Sequence, residues 1–263
     1  MFPTLVKIGP IGLHSYGLML AAAFMLGIWL MQRGAARMGV AREHIADLGL
    51  WILAAAVVGS RLFYVATHWA EFSARPLSLL AVWDGGLTFY GGVLAALPVS
   101  WLYVRSKKLP YWELSDLAAP AFALGVGLGR IGCFLSGCCF GLPSNLPWAV
   151  RFPPHSFAGQ VYGCPLHPTQ LYESAFGFAC FGLLWVLSKK KHFPGFLMCL
   201  FLGLYGAWRL LVDLWRHYET TQVWALGLTN NQWVSVMMMV GAGLVGFVLW
   251  RKKRKSQPCK RTV

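Results

Sequence analysis

Seven stretches of about 20 mainly apolar residues recur along this chain, and that recurrence limits its fold more than any other feature. About 20 apolar residues are what an α-helix needs to cross the hydrocarbon core of a bilayer. The spans fall at 14–31, 45–67, 87–103, 114–134, 171–187, 196–215 and 233–250. Only 12% of the residues are charged, against about 25% in a typical soluble domain, so the chain lacks the charge to cover a soluble surface. The sequence therefore reads as an all-α polytopic membrane protein of seven transmembrane helices, with residues 1–263 forming a single integral membrane domain.

The placement of Lys and Arg sets the expected orientation. Alternate connections, starting after the first span, hold Arg33, Arg37 and Arg42, then Arg105, Lys107 and Lys108, then Lys189, Lys190 and Lys191, and finally the basic tail at 251–263. These segments carry 16 of the 23 cations, whereas the other connections and the N-terminus carry only Lys7, Arg75, Arg151 and Arg216. The positive-inside rule then places the N-terminus outside and the C-terminus in the cytoplasm. The formal net charge of +14 does not point to nucleic acid, because the cations fall in short clusters between apolar runs. The tail suits contact with anionic membrane lipid. No cleavable signal peptide is expected, since no basic segment precedes the first apolar run and arginines follow it. The longest outer connection, 139–168, is rich in Pro, Gly and aromatic residues, and reads as a small ordered outer head between spans four and five.

The remaining three cations, Arg61, Arg130 and Arg209, lie inside spans. A guanidinium at membrane depth costs roughly 2.5 kcal/mol or more and marks a substrate path or a paired interior group. Asp213, four residues after Arg209, lies on the same helix face, and Asp84 and Glu173 are available to the others. Nine acids serve the whole chain, so the set reads either as structural ion pairs or as a site for an anion from elsewhere. A phosphate fits the planar fork of arginine.

Four further clusters carry polar groups. His167, Gln170, Tyr172 and Glu173 follow Pro168 at a helix entry, and are either helix-start residues or groups lining the outer mouth of the bundle. The stretch 83–92, with Trp83, Asp84, Thr88 and Tyr90 between paired glycines, suits tight helix packing or backbone held close under a ligand. His14 and Tyr16 open the first span, where an interfacial tyrosine is expected. Cys133, Cys138, Cys139 and Cys164, with His167, lack the C-x₂-C spacing of structural zinc sites, so no metal is expected. A disulfide from Cys138 or Cys139 to Cys164 is the alternative on an oxidising side. Cys180 and Cys199 read as core, and Cys259 lies in the tail.

In order, these segments resemble the phosphatidylglycerol–prolipoprotein diacylglyceryl transferases of bacterial membranes over nearly the whole chain. The resemblance runs through Ile11 to Gly17, Gly59 to Arg61, Trp83 to Gly86, Gly129 to Gly132, His167 to Glu173, Tyr205 to Arg209, and Gln232. The family's usual Gly-Arg-x-Gly-Asn-Phe-x-Asn-x-Glu has Cys133, Ser136 and Cys138 here in place of the two asparagines and the glutamate. Tyr90 stands where the family usually has a histidine. The resemblance implies transfer of the diacylglyceryl group from phosphatidylglycerol to a lipobox cysteine in a prolipoprotein signal peptide, releasing glycerol phosphate, in the bacterial cytoplasmic (inner) membrane and without a cofactor. It implies Arg130, Arg209, Tyr90 and His14 as catalytic residues. Arg61, Tyr16, Gly141, His167, Gln170, Tyr172, Glu173 and Asp213 are implied as substrate-binding. The departures motivate an alternative, a same-fold relative that transfers a lipid or phosphoglycerol group to a different acceptor.

Overall fold

The computed structural model describes residues 4–8, 11–69, 72, 86, 88–154, 156–217 and 227–256. The expected cluster at 83–85, including Asp84, and the tail beyond 256, including Cys259, lie outside them. Among the described residues the named strands lie at the N-terminus, where β1 (Thr4–Ile8) and β2 (Ile11–His14) pair antiparallel, and the rest is helices and their connections, with isolated bridges such as Gly141 to Arg216. This short hairpin adds to an otherwise helical architecture, as the all-α expectation has it. Two runs containing β-branched residues flank Gly9 and Pro10, and such a turn dipeptide between short strand-formers favours a hairpin.

The helices are α1 (Ser15–Ala36), α2 (Arg42–Thr67), α3 (Phe89–Ser106), α4 (Tyr111–Ser136), the short α5 (Phe157–Val161), α6 (Thr169–Leu187), α7 (Phe196–Val212) and α8 (Asn230–Ser256). A single 3-10 turn, Asp213–Trp215, closes α7. Among the described residues six helices are long and apolar enough to cross a membrane: α1, α2, α4, α6, α7 with its 3-10 turn, and α8. The seventh expected span corresponds to α3, in which Pro98, two glycines and two tyrosines dilute the apolar content.

The burial pattern is inverted relative to a soluble protein. Met25, Leu50, Leu62, Leu94 and Leu244 are exposed, whereas Gln170, Glu173, Arg209 and Asp213 are buried. A soluble domain hides its apolar side chains and shows its charges. Here the outside matches hydrocarbon, and the inside holds the groups that hydrocarbon rejects.

The chain divides into two compact units, Met31–Leu114 and a second made of Met1–Leu30 with Ser115–Val263. In the first, α2 and α3 pack through small residues. A Cβ at Gly91 would lie 2.5 Å from the Gly59 carbonyl oxygen, and one at Gly92 would lie 2.7 Å from Ser60 Oγ. Gly91 and Gly92 of the 83–92 stretch thus serve helix packing.

In the second unit Ala119, Ala123, Cys180, Leu184, Leu197 and Phe201 form a core shared by α4, α6 and α7. Cys180 is the core residue its sequence position suggests. Asp116 on α4 accepts hydrogen bonds from the backbone N–H groups of Gly195 (2.7 Å) and Met198 (3.1 Å), satisfying donors at the start of α7 that have no partner within the helix. Thr229 and Gln232 cap α8 reciprocally: Gln232 Oε1 accepts from the Thr229 N–H and Thr229 Oγ1 from the Gln232 N–H. The segment after α4 is ordered around its own apolar cluster of Phe140, Phe152, Ala158 and Leu166, with Cys164 packed against it.

The crossing of α4 and α6 sets the site that follows. A Cβ at Gly177 would lie 2.5 Å from Gly127 N and 2.8 Å from its Cα, and Ser174 Oγ donates to the Gly127 carbonyl at 2.9 Å. A Cβ at Gly125, also on α4, would meet nothing within 4 Å. Glycine in a helix costs roughly 0.5–1 kcal/mol relative to alanine, so Gly125→Ala is expected to leave the melting temperature in detergent unchanged or raise it. Gly177→Ala is expected to lower it, because overpacking costs about 1–3 kcal/mol. Equal melting temperatures for the two variants would refute the close crossing.

Candidate active site

Helix α6 carries a buried stripe of Thr169, Gln170, Glu173, Ser174, Gly177, Cys180 and Leu184. Its spacing of three and four residues puts all of them on one face. The stripe is polar at its N-terminal end and apolar at the other, so a single helix serves both the site and the core.

Glu173 is fully buried and binds three guanidiniums. Its Oε2 lies 2.8 Å from Arg130 Nη2, and its Oε1 lies 3.2 Å from Arg209 Nη1 and 3.1 Å from Arg216 Nη1. Arg209 also pairs with Asp213 at 3.3 Å across one helical turn, as the sequence spacing anticipates, and Asp213 accepts from Thr229 Oγ1. Three elements thus converge on one carboxylate: α4 through Arg130, α7 through Arg209, and the strand-like residue after the 3-10 turn through Arg216. Among the described residues three guanidiniums meet two carboxylates here. Low dielectric strengthens the pull of such guanidiniums on an anion.

Arg216 is the residue the sequence reading left in a connecting segment. It lies beyond the end of α7, after the 3-10 turn and in extended backbone, so helical spacing from Arg209 carries no signal for it. Gly141 holds the chain beside it. A Cβ there would lie 2.5 Å from the Trp215 carbonyl oxygen and 2.6 Å from His167 Cβ, and the Leu142 N–H donates to that same Trp215 carbonyl at 2.8 Å.

Gln170 Nε2 donates to the Cys138 carbonyl at 2.7 Å, and Thr169 Oγ1 donates to the Cys139 carbonyl at 2.9 Å. Gln170 Oε1 is buried with no donor among the described residues, leaving an acceptor for a further group. Tyr16 lies against Gly132, where a Cβ would come within 3.2 Å of its ring, and it is within electrostatic reach of Cys133 and Arg130. His167 Nδ1 and Trp148 Nε1 both meet the Tyr172 hydroxyl, at 3.2 and 2.8 Å. This side-chain chain braces the loop beside the arginines. His14 ends β2 with its side chain exposed.

Arg61 and Tyr90 belong to the other unit. Arg61 is buried, donates to the Gly86 carbonyl at 3.4 Å and lies over the Phe72 and Tyr64 rings. Tyr90 is partly exposed and meets Phe89 edge-on.

The six described cysteines are free thiols. The disulfide to Cys164, one of the alternatives the sequence left open, is not formed, and Cys164 packs against the apolar cluster. The structure also revises the discounting of the other three as a group, because the sulfurs of Cys133, Cys138 and Cys139 lie within 4.8 Å of one another. The Cys139 thiol is drawn below the ordinary thiol range by its hydrogen bonds with Cys133 and Cys138, and further by Arg216 and Arg130. Cys138 is pushed up, chiefly by its hydrogen bond with Cys133.

With this geometry in hand, the chain can be set beside known proteins. The family model described as prolipoprotein diacylglyceryl transferase matches residues 3–249. Phosphatidylglycerol–prolipoprotein diacylglyceryl transferases are similar along nearly their full lengths. The one from Synechococcus elongatus is 34% identical, covering 97% of this chain and 90% of its own. Those from Bordetella avium and Neisseria meningitidis are 36% and 33% identical, covering 97% and 96% of this chain and 97% of their own.

Removing one partner of a buried ionic cluster leaves uncompensated charge and costs about 3–5 kcal/mol. Glu173→Gln is therefore expected to lower the melting temperature in detergent markedly. Adding Arg216→Leu should recover part of that loss by removing one of the guanidiniums left without its carboxylate. A double variant no more stable than Glu173→Gln would refute the shared-carboxylate account.

Proposed function

This chain belongs to the prolipoprotein diacylglyceryl transferase family, and we propose that it transfers the diacylglyceryl group of phosphatidylglycerol to the thiol of a prolipoprotein's lipobox cysteine. The observation that carries the reading is the set of three guanidiniums gathered on one buried carboxylate. In the reaction the acceptor sulfur attacks the glyceryl carbon next to the phosphate. A C–S bond forms, the C–O bond breaks, and glycerol phosphate leaves with the electron pair. The phosphate passes from a monoanionic diester to a dianionic monoester. Positive charge fixed beside it is therefore worth more in the transition state than in the bound lipid, which is the condition for catalysis.

Arg130 and Arg209 are assigned to phosphate binding and leaving-group stabilisation, with Glu173 and Asp213 holding their guanidiniums in place. Arg216 joins them on the strength of its bond to the same carboxylate oxygen as Arg209. Gln170 and Tyr16 position the glycerol head group. The Gln170 Oε1 acceptor suits a head-group hydroxyl. His167, Tyr172 and Gly141 shape the loop beside the phosphate. Arg61 supports the charge on the lipid, and Tyr90 and His14 orient or exchange protons during transfer.

Residues 1–263 act as one domain in this reading, in the bacterial cytoplasmic membrane. Seven spans are counted by including α3, with the N-terminus outside, the segment 139–168 as an outer head and the basic tail 251–263 in the cytoplasm. The Lys and Arg asymmetry supports this orientation.

Transfer is tested with detergent-solubilised protein, phosphatidylglycerol and a lipobox peptide, reading the diacylglyceryl-peptide by mass spectrometry. Arg130→Ala and Arg209→Ala are each expected to reduce the rate by about 10²–10³, the usual loss for one donor to a developing anion. Wild-type rates in either variant would overturn the assignment. Failure of the chain to complement a strain depleted of its own transferase, despite good membrane expression, would favour a different acceptor. For the topology, alkaline phosphatase fused after Ser144 is expected to be active and after Lys190 inactive, and the reverse pattern would refute the orientation.

A further inference from the structure

The transferase reading leaves unexplained the three cysteines at the end of α4. Cys133 sits one turn beyond Arg130 on the same helix face. Cys138 and Cys139 follow after Gly137, whose φ is +72°. Cys139 itself has a φ of +61°, a left-handed conformation that non-glycine residues seldom adopt and that persists where surrounding structure enforces it. The enforcing contacts are visible. Gln170 and Thr169, from the start of α6, hold the carbonyls of Cys138 and Cys139 respectively, and the Cys138 N–H bonds back to the Cys133 carbonyl. Two elements thus turn three sulfurs inward until all lie within 4.8 Å of one another.

Zinc binds thiolate at about 2.3 Å in a tetrahedron, which puts its sulfurs roughly 3.8 Å apart, inside the observed limit. A disulfide would use two of the sulfurs and leave the third without a role. Three protein ligands are also the number that leaves a tetrahedral zinc one open position, the arrangement of catalytic rather than structural sites. Zinc with three thiolates carries one negative charge, and Arg130 stands one helical turn before Cys133. Cys133 is buried while Cys138 and Cys139 are partly accessible, so an ion and a fourth ligand have a way in.

We propose that Cys133, Cys138 and Cys139 bind one zinc ion as thiolates, and that its fourth position takes the acceptor's cysteine thiol. The second half of this statement rests on the transferase reading, and the first does not. Zinc binding releases the three cysteine protons to solvent. Coordination of the acceptor releases a fourth, because a thiol bound to the metal is deprotonated outright. That thiolate is the nucleophile the alkylation requires, since a free thiol reacts poorly. Its sulfur then forms the bond to the glyceryl carbon as glycerol phosphate departs with the electrons of the broken C–O bond towards Arg130. Zinc is redox-inert and returns to the three-cysteine state when the uncharged thioether leaves.

The test uses the full-length protein purified in detergent under reducing conditions. Elemental analysis is expected to find one zinc per chain, with at least tenfold weaker retention in Cys133→Ser, Cys138→Ser and Cys139→Ser. Cobalt(II) loaded in place of zinc is expected to show thiolate-to-metal charge transfer. Its ligand-field bands should change on adding a lipobox peptide with cysteine and not one with serine. Absence of stoichiometric zinc, equal zinc in the serine variants, or a disulfide among these cysteines in protein taken directly from cells would overturn the site. Transfer undiminished after complete zinc removal would overturn its role while leaving the transferase reading standing. Bound zinc with no transfer from phosphatidylglycerol would leave the metal site and overturn that reading.

Discussion

One carboxylate holds this site together. Glu173 is fully buried, yet it binds Arg130, Arg209 and Arg216, which come from three separate stretches of the chain. Without it, three guanidiniums would face one another in a region of low dielectric, where like charges repel strongly. With it they stand close together, and Asp213 holds Arg209 from a second side. Buried ion pairs seldom add stability over an apolar core. This arrangement is better understood as a device for holding three guanidiniums at a fixed place.

The scaffold serves that placement. Glu173 can reach α4 because Gly177, one turn further along α6, lets the backbone approach Gly127 closely, with Ser174 tying the crossing by a hydrogen bond. The first turn of the same helix holds the loop after α4 through Gln170 and Thr169. The arginine cluster and the cysteine loop are therefore fixed by adjacent turns of one element. In the proposed transfer they act on opposite sides of one carbon and gain from being held that way, because misplacement by about 1 Å can cost 10² in rate. The zinc proposal extends the same logic. A family whose reaction needs a thiolate has here Cys133 and Cys138 in place of two of its usual polar residues, with Cys139 beside them.

Much of this was legible from the sequence. Apolar runs of about 20 residues dictate helices because a backbone in hydrocarbon must satisfy itself locally, and six of them stand as expected. The Arg209–Asp213 pair follows from helical periodicity alone, as does Cys180 in the core. Local composition was weaker where propensity is shared between outcomes. The hairpin at Thr4–His14 lies before the first expected span and drew no expectation of its own, and α3 read as more apolar than its single proline, glycines and tyrosines make it.

What the sequence by itself determined was the helical membrane class, the arginines at depth and the family, since each rests on spacing along the chain or on motifs in order. What only the tertiary structure decided was which groups meet. Arg216 joins the arginine cluster, Cys164 leaves the other cysteines for an apolar pocket, and Cys133, Cys138 and Cys139 close to within 4.8 Å. The reason is physical. Periodicity fixes which face of a helix a residue occupies, but the partner it meets depends on how helices cross. Here that crossing turns on a glycine on α6 against a glycine on α4, fifty residues apart.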